Sequence, residues 1–280
     1  MIIVFDVGNT ETTIGIFDGE ALRAHWRITT GVVRTADEYG VLLTELVRSA
    51  EVAPASLDGA SIGSVVPGVT GPLAEACERW LEARVTQIDA RTRLPITLDV
   101  EEPLTVGADR IINTLAASRM YQSDCIVVDL GTATTYDCIT ATGVFLGGVI
   151  APGVTTSADT LVRRTSKLPA TELVPPARTI GRRTEECIRA GVMLGAAESI
   201  DGLVRRIKRE WPTPSRPRVV ATGGLAEVLA PLCTEIELVE PHLTLHGLRM
   251  AFAIVNGRGG AVSENVGRNR RKGAKGRARK

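Results

Sequence analysis

Two aspartates stand at the ends of apolar runs, and each is followed by glycine and then by hydroxyl residues. Asp6 lies in IVFDVGNTETT and Asp129 in IVVDLGTATT. A carboxylate at a strand end can hold a hydrated divalent cation through its bound waters. Gly8 lets backbone approach a ligand closely, and the amides and hydroxyls of Asn9 to Thr13 can donate to phosphate oxygens. Read alone, either segment also fits an ordinary Asx-type hairpin turn. The recurrence weighs against that: Asp6 matches Asp129 and Gly8 matches Gly131, a displacement of 123 residues. Two such hairpins facing each other can grip one polyphosphate and its metal from opposite sides. Ala221-Thr222-Gly223-Gly224-Leu225-Ala226 follows the apolar RVV, and small residues opening a helix let a ring or a phosphate lie against backbone. No GxxxxGK[ST] and no strand–helix GxGxxG occurs, so neither a P-loop nor a dinucleotide fingerprint is supported.

The elements that must carry these residues follow from periodicity. IIVFDV predicts a strand, TTIGIFDG its hairpin partner, and EALRAHWRITT a third strand. Residues 35–49 predict a helix with acids in the first turn. GASIGSVVPG predicts a strand and loop, VTGPLAEACERWLEA a helix, RVTQIDA a short strand, and GADRIINTLAASRMY a helix beginning at Gly107. DCIVVDL then restarts the pattern. FLGGVIAPG, a helix over TSADTLVRRTSKLP, and a long helix over 184–211 with Thr184 as its cap follow. RVVATGGLAEVLAPL and a final helix in ELVEPHLTLHGLRMAFAIV close the chain. A repeat of this length implies duplicated architecture. We expect two related α/β halves, 1–120 and 121–258, with a ligand cleft between them.

Composition narrows the class. The chain has 280 residues, enough for a sizeable core, and 44% are apolar. No apolar run reaches membrane-spanning length, and MIIVFDVG reads as a first strand rather than a signal peptide. The five cysteines form no CxxC and read as small buried hydrophobes in a reducing cytoplasm; the three histidines show no metal spacing. The net charge of +1 conceals two parts. Residues 268–280 carry eight Lys/Arg and no acid, and without them 25 basic groups face 32 acidic ones, a charge of −7. The body is thus a poor nucleic-acid binder. The tail, 259–280, is expected to be disordered, with its role open.

In order and spacing, DxGNT, DLGTATT and TGGLA resemble the phosphate-1, phosphate-2 and adenosine motifs of the actin-like ATPase and sugar kinase superfamily. Gly107-Ala108-Asp109-Arg110 narrows the resemblance to the type III pantothenate kinase family. SVVP (64–67), GGVIAPG (147–153), TSKLP (165–169), IGRRTEECIRAG (180–191) and LTLHGL (243–248) agree further. The fold this implies is two duplicated ribonuclease H-like (actin-like ATPase) domains with an interdomain cleft. The activity it implies is ATP-dependent phosphorylation of pantothenate, the first step of coenzyme A synthesis. The resemblance makes Asp109 the general base, whereas spacing alone would equally let Asp109 cap its helix or pair with Arg110. ATP would contact Asp6, Val7, Gly8, Asn9, Thr10, Glu11, Thr12, Thr13, Thr132, Gly223 and Gly224. Pantothenate would contact Val100, Gly107, Ala108, Asp109, Arg110 and Thr184. Val100 falls where some members carry a tyrosine, which removes a hydrogen bond from that position. Asp6 would sit near Mg²⁺ through water, and Asp129 would coordinate a monovalent cation, K⁺ or NH₄⁺. A homodimer through the second half is implied, with the 184–211 helix contributing; the apolar positions of that helix equally fit burial within one subunit. Two other readings compete: a transcriptional activator on the same fold, and another actin-like ATPase or sugar kinase.

Overall fold

The computed structural model describes residues 1–257; the basic tail lies outside the described residues. Strands β1 (Ile2–Val7), β2 (Glu11–Asp18) and β3 (Ala21–Thr29) form a meander, with Gly19 at φ +59° in the Asp18-Gly19 turn. Helix α1 (Ala36–Ser49) opens on a capping box: Thr35 Oγ1 accepts the Glu38 N–H, and Glu38 Oε2 accepts the Thr35 N–H at 2.7 Å. Then come β4 (Gly59–Ser64), α2 (Pro67–Trp80), β5 (Val85–Ile88), the two-residue β6 (Thr97–Leu98) and α3 (Ala108–Tyr121). The pattern repeats with β7 (Cys125–Leu130), β8 (Ala133–Ile139), β9 (Val144–Pro152), α4 (Val154–Arg164), α5 (Thr184–Glu210), β10 (Arg218–Thr222), α6 (Ala226–Leu229), β11 (Leu238–Val239) and α7 (Leu243–Val255).

The first sheet has the order β3-β2-β1-β4-β5. The second, β11-β10-β7-β8-β9-β6, contains the same order with one strand added at an edge. In both, two antiparallel hairpin pairings are followed by parallel pairings to the later strands. Side-chain alternation along β1 feeds two cores. Ile3, Phe5 and Val7 pack with Tyr39, Leu43 and Leu73 of α1 and α2, while Val4 packs with Ile112, Leu245 and Leu248. Helices α3 and α7 lie between the two sheets. Ile112 and Leu115 serve the first sheet, and Ala116 and Ala117 pack with Cys125 and Val127 of the second. The two helices meet closely: a Cβ on Gly247 would lie 2.5 Å from Ile112 Cγ2.

Three expectations change. Thr184 does not cap α5: Arg183 occupies the cap position without a side-chain bond, and Glu186 instead accepts the Arg182 N–H at 2.8 Å. Most of the α5 apolar stripe, including Ile188, Val192 and Ile200, is buried against the second sheet within one subunit. Of the five free thiols only Cys77 and Cys125 are buried, and Cys187 is exposed. Among the described residues no helix is long and apolar enough to cross a membrane.

Candidate active site

The two aspartate hairpins are near copies. β1 pairs with β2 so that Asp6 opposes Thr13 and Val7 opposes Thr12. β7 pairs with β8 so that Asp129 opposes Thr135 and Leu130 opposes Thr134. Each turn is closed by its glycine, Gly8 N–H to Glu11 O and Gly131 N–H to Ala133 O, both 3.1 Å. The loops meet at their tips, where the hydroxyls of Thr10 and Thr132 stand 2.8 Å apart. Asn9, Thr10, Glu11, Gly131 and Thr132 are exposed there. Two neighbours are turned inward: Thr12 is buried with its hydroxyl 2.8 Å from that of Thr30, and the Val7 side chain joins the core while its carbonyl accepts the Val65 N–H. Glu11 pairs with Arg27 at 3.4 Å on the surface.

Three acids cluster beside those tips. Burial pushes the Asp6 carboxyl well above its ordinary value, and the charges of Asp109 and Asp129 push it further. Asp129 is pushed up to about 7 by burial and by Asp109 and Asp137. Each acid keeps some surface exposed. Asp109 sits in the first turn of α3, whose cap position is Gly107 with no side-chain bond, so Asp109 is not the cap. Its Oδ1 accepts the Arg110 N–H at 2.9 Å. A Cβ on Gly107 would lie 2.4 Å from that same oxygen, so glycine there leaves the carboxylate its place.

The Arg110 guanidinium turns away from Asp109. Its Nε donates to Asp137 Oδ1 at 2.6 Å, and its plane lies over the Phe145 ring, 4.9 Å from the centroid. Asp137 is fully buried on β8 and pushed up to about 6, burial outweighing the nearby guanidinium. Arg110 Nη2 and Asp137 Oδ2 remain without partners. Gly148 makes room here, since its Cβ would lie 2.7 Å from Arg110 Nη2, and Val100 stands beside the adjoining Gly147. Sequence reasoning missed Asp137. The available signal was a charged residue inside the strand segment TTYDCI, which demands a buried partner; nothing in the spacing identified Arg110 as that partner. Thr184 lies exposed at the start of α5, and no hydrogen bond among those described joins it to the acid cluster.

The late glycine motif closes the other side. β10 runs parallel to β7 with Thr222 opposite Asp129. Gly223 follows at φ +90°, and a Cβ there would lie 2.4 Å from Asp129 Oδ1. Only glycine combines that backbone with that approach. Gly224 is exposed, 3.0 Å from Arg27 Nη1 measured at its would-be Cβ, which brings the motif against β3 of the first sheet.

The chemistry of this acid cluster fits cations. The charges that bear on Asp6 and Asp129 are all carboxylates, so their ionised forms lack a compensating positive charge. Among the described residues no three His, Cys, Asp or Glu side chains form a metal cage. That donor set suits ions completed by water and phosphate oxygens.

The family model for type III pantothenate kinase matches residues 2–206. A type III pantothenate kinase of Roseiflexus castenholzii is 46% identical over 252 residues, covering 90% of this chain and 98% of that one. One from Anaeromyxobacter sp. (strain K) is 43% identical over 250 residues, covering 89% and 98%. Solved structures share the fold at low identity. The activator of the 2-hydroxyisocaproyl-CoA dehydratase from Clostridium difficile with bound ADPNP has a TM-score of 0.54 at 16% identity, over 92% of this chain and 96% of that one. A Campylobacter jejuni chain assigned to the Baf family of transcriptional activators has a TM-score of 0.57 at 18%, over 92% and 100%. The folds matched are those of actin-like ATPases and sugar kinases. By the family model over residues 2–206 and by relatives up to 46% identical over nine-tenths of its length, the chain belongs to the type III pantothenate kinase family.

Proposed function

We propose that Asp109 is the general base of a phosphoryl transfer from ATP to pantothenate. Family membership makes ATP and pantothenate the substrates and coenzyme A biosynthesis the pathway. The observation that carries the reading is the cluster in which Asp6, Asp109 and Asp129 bear on one another, beside the touching tips of the two hairpins. The primary hydroxyl of pantothenate attacks the γ-phosphorus, the bond from that phosphorus to the β-bridging oxygen breaks, ADP leaves, and the hydroxyl proton passes to the Asp109 carboxylate. The product is 4′-phosphopantothenate.

Residues Asp6 to Thr13 and Thr132 hold the phosphates, and Gly223 and Gly224 receive the adenosine side. Gly107, Ala108 and Arg110 hold pantothenate beside Val100, with Thr184 as a further contact. Asp6 holds Mg²⁺ through water, and Asp129 holds K⁺ or NH₄⁺; when bound, these ions neutralise the polyphosphate. Among the described residues, the buried polar partners Asp137 and Arg110 are already satisfied by each other on one side only, which leaves Arg110 Nη2 a donor to spare. We further propose a cytoplasmic homodimer. Gly191, Gly195 and Gly202 on α5 have open space around them, so a second α5 can approach closely.

Asp109→Asn tests the base. Turnover falls by about 10²–10⁴-fold, the usual worth of general-base catalysis, while ATP affinity measured by calorimetry stays close to that of the parent. Near-normal turnover would show that Asp109 is not the base. The dependence of ATP consumption on pantothenate, against N-acetylglucosamine and acetate, separates this reading from other sugar and acetate kinases, and from a non-catalytic activator.

A further inference from the structure

Side chains alternate along β3 in the run HWRI. Trp26 and Ile28 pack on the core shared with α1 and α2. His25 and Arg27 therefore stand on the opposite face, the one turned toward the second half of the molecule. Two contacts agree with that. The His25 ring lies 4.3 Å, centroid to centroid, from that of His242, the residue before α7. Arg27 Nη1 lies 3.0 Å from where a Cβ on Gly224 would stand.

Strand register puts Arg27 in line with the first acid hairpin. Asp6 on β1 opposes Thr13 on β2, and Thr13 opposes Arg27 on β3. Residues paired directly across strands share a face, so Asp6, Thr13 and Arg27 form one row. The guanidinium also reaches Glu11 at the hairpin turn, Nη1 to Oε2 3.4 Å. Both side chains are half exposed, 54% and 53%. An exposed pair of this kind is weak, so Arg27 can exchange the carboxylate for another oxyanion at little cost. Among the described residues no other Lys or Arg forms an ion pair with either hairpin turn. Arg110 is engaged by Asp137, and Arg34 donates to Thr29 O.

We propose that Arg27 is a nucleotide-binding residue whose guanidinium contacts the α- and β-phosphates of ATP. The proposal rests on the reading that the hairpins hold phosphate and the Gly223-Gly224 turn receives adenosine. The phosphates then run from one to the other, and Arg27 touches both ends, through Glu11 and beside Gly224. Its planar fork matches two phosphate oxygens and stays charged throughout the working pH range. It also offsets the repulsion that the Glu11 carboxylate would exert on a polyphosphate. The second glycine of the late motif gains a reason as well. Gly223 is required by its φ of +90°, whereas Gly224 has no such backbone, and a side chain there would push the guanidinium aside.

Calorimetric titration of the full-length protein with ADP and with a non-hydrolysable ATP analogue, each with Mg²⁺, tests this. Arg27→Met keeps the aliphatic stem and removes the charge. It weakens both nucleotides alike, by about 10–100-fold, the range of a hydrogen bond to a charged group. KM for pantothenate at saturating ATP stays within twofold of the parent. Arg27→Lys, with charge but no fork, falls between. The Arg27→Met loss recurs undiminished beside Glu11→Gln. The proposal is overturned if Arg27→Met binds ADP within twofold of the parent, or if its loss vanishes beside Glu11→Gln, which would make Arg27 a mere counter-ion. A loss confined to the ATP analogue places the contact on the γ-phosphate and overturns it too. If Arg27→Met does not fold, Arg27→Lys decides, and undiminished ADP affinity there is the overturning result. A parent that binds neither nucleotide overturns the underlying reading of the hairpins; a parent that binds both while Arg27→Met matches it overturns this proposal alone.

Discussion

The two acid hairpins share strand order and a turn closed by a glycine N–H, but what stands behind them differs. Two residues beyond Thr13, which opposes Asp6, lies Gly15; two residues beyond Thr135, which opposes Asp129, lies Asp137. Behind Gly15 sits Leu245 of α7, 3.0 Å from the would-be Cβ, and behind Asp137 sits Arg110 of α3. The same position in the repeated scaffold is a glycine–leucine contact in one half and a buried ion pair in the other. Replacing an ion pair by apolar groups is often neutral for stability, so the pair is not required to hold two layers together. The first half shows that this scaffold closes without one. We therefore expect the ion pair of the second half to act on the neighbouring acids rather than on closure of the layers.

Transplanting the apolar pair is the strongest test of that contrast. Arg110→Leu combined with Asp137→Gly should fold with stability near that of the parent and lose about 10²-fold or more in turnover, since the acids behind the transfer lose their anchor. Asp137→Ala alone should differ in kind. It strands the guanidinium of Arg110, whose side chain is only 16% exposed, and should cost roughly 3–5 kcal/mol in urea unfolding. If the double variant is as unstable as the single one, the pair is structural and the comparison fails.

A second difference lies at the ends of the parallel strands. Val7 opposes Ser64, a residue with ordinary backbone, whereas Leu130 opposes the position of Gly223 at φ +90° after Thr222. Gly223→Ala should cost about 1–3 kcal/mol from backbone strain and overpacking against Asp129, and should raise KM for ATP. Ser64→Ala should do less, losing only local hydroxyl bonds to Thr70 and Val66. Thermal midpoints and steady-state kinetics read both.

The smallest effect is on pH dependence. Asp129 at about 7 and Asp137 at about 6 bind protons more tightly folded than unfolded, where the ordinary value is 3.8. Their contribution to stability is therefore complete below pH 3.8 and is lost as pH rises through about 6 to 7. The urea midpoint of the ligand-free protein should carry a downward component across that window, and Asp129→Asn should flatten it. An unchanged slope would show that Asp129 is not desolvated.

Periodicity made the hairpins, the main helices and the acid–glycine pairs legible, because strand ends and turn residues advertise themselves locally. Asp109 and Arg110 were legible as a motif, but their division of labour was not. Adjacent helical residues diverge in direction, and only the packed structure shows Arg110 turned to Asp137. The hydrogen bond between Asn113 of α3 and Thr244 of α7 was invisible for the same reason: it spans 131 positions and depends on how two helices cross. The two-residue β6 carries too few residues to show a period, and α5 begins one residue earlier than the Thr184 signal suggested, with Arg183 at the cap position and Glu186 reaching back to the Arg182 amide.

The placement of α7 bears on how the chain matures. One face of the first sheet, built from residues near the start, is covered by Leu245, Leu248 and Ala251 from its last described helix. As the polypeptide leaves the ribosome, α3 reaches that face first, through Ile112 and Leu115, and the part that α7 covers stays open until residues 243–255 have emerged. A fragment ending before them would leave exposed the apolar side chains that α7 covers, so the first sheet completes its burial only with the last described helix.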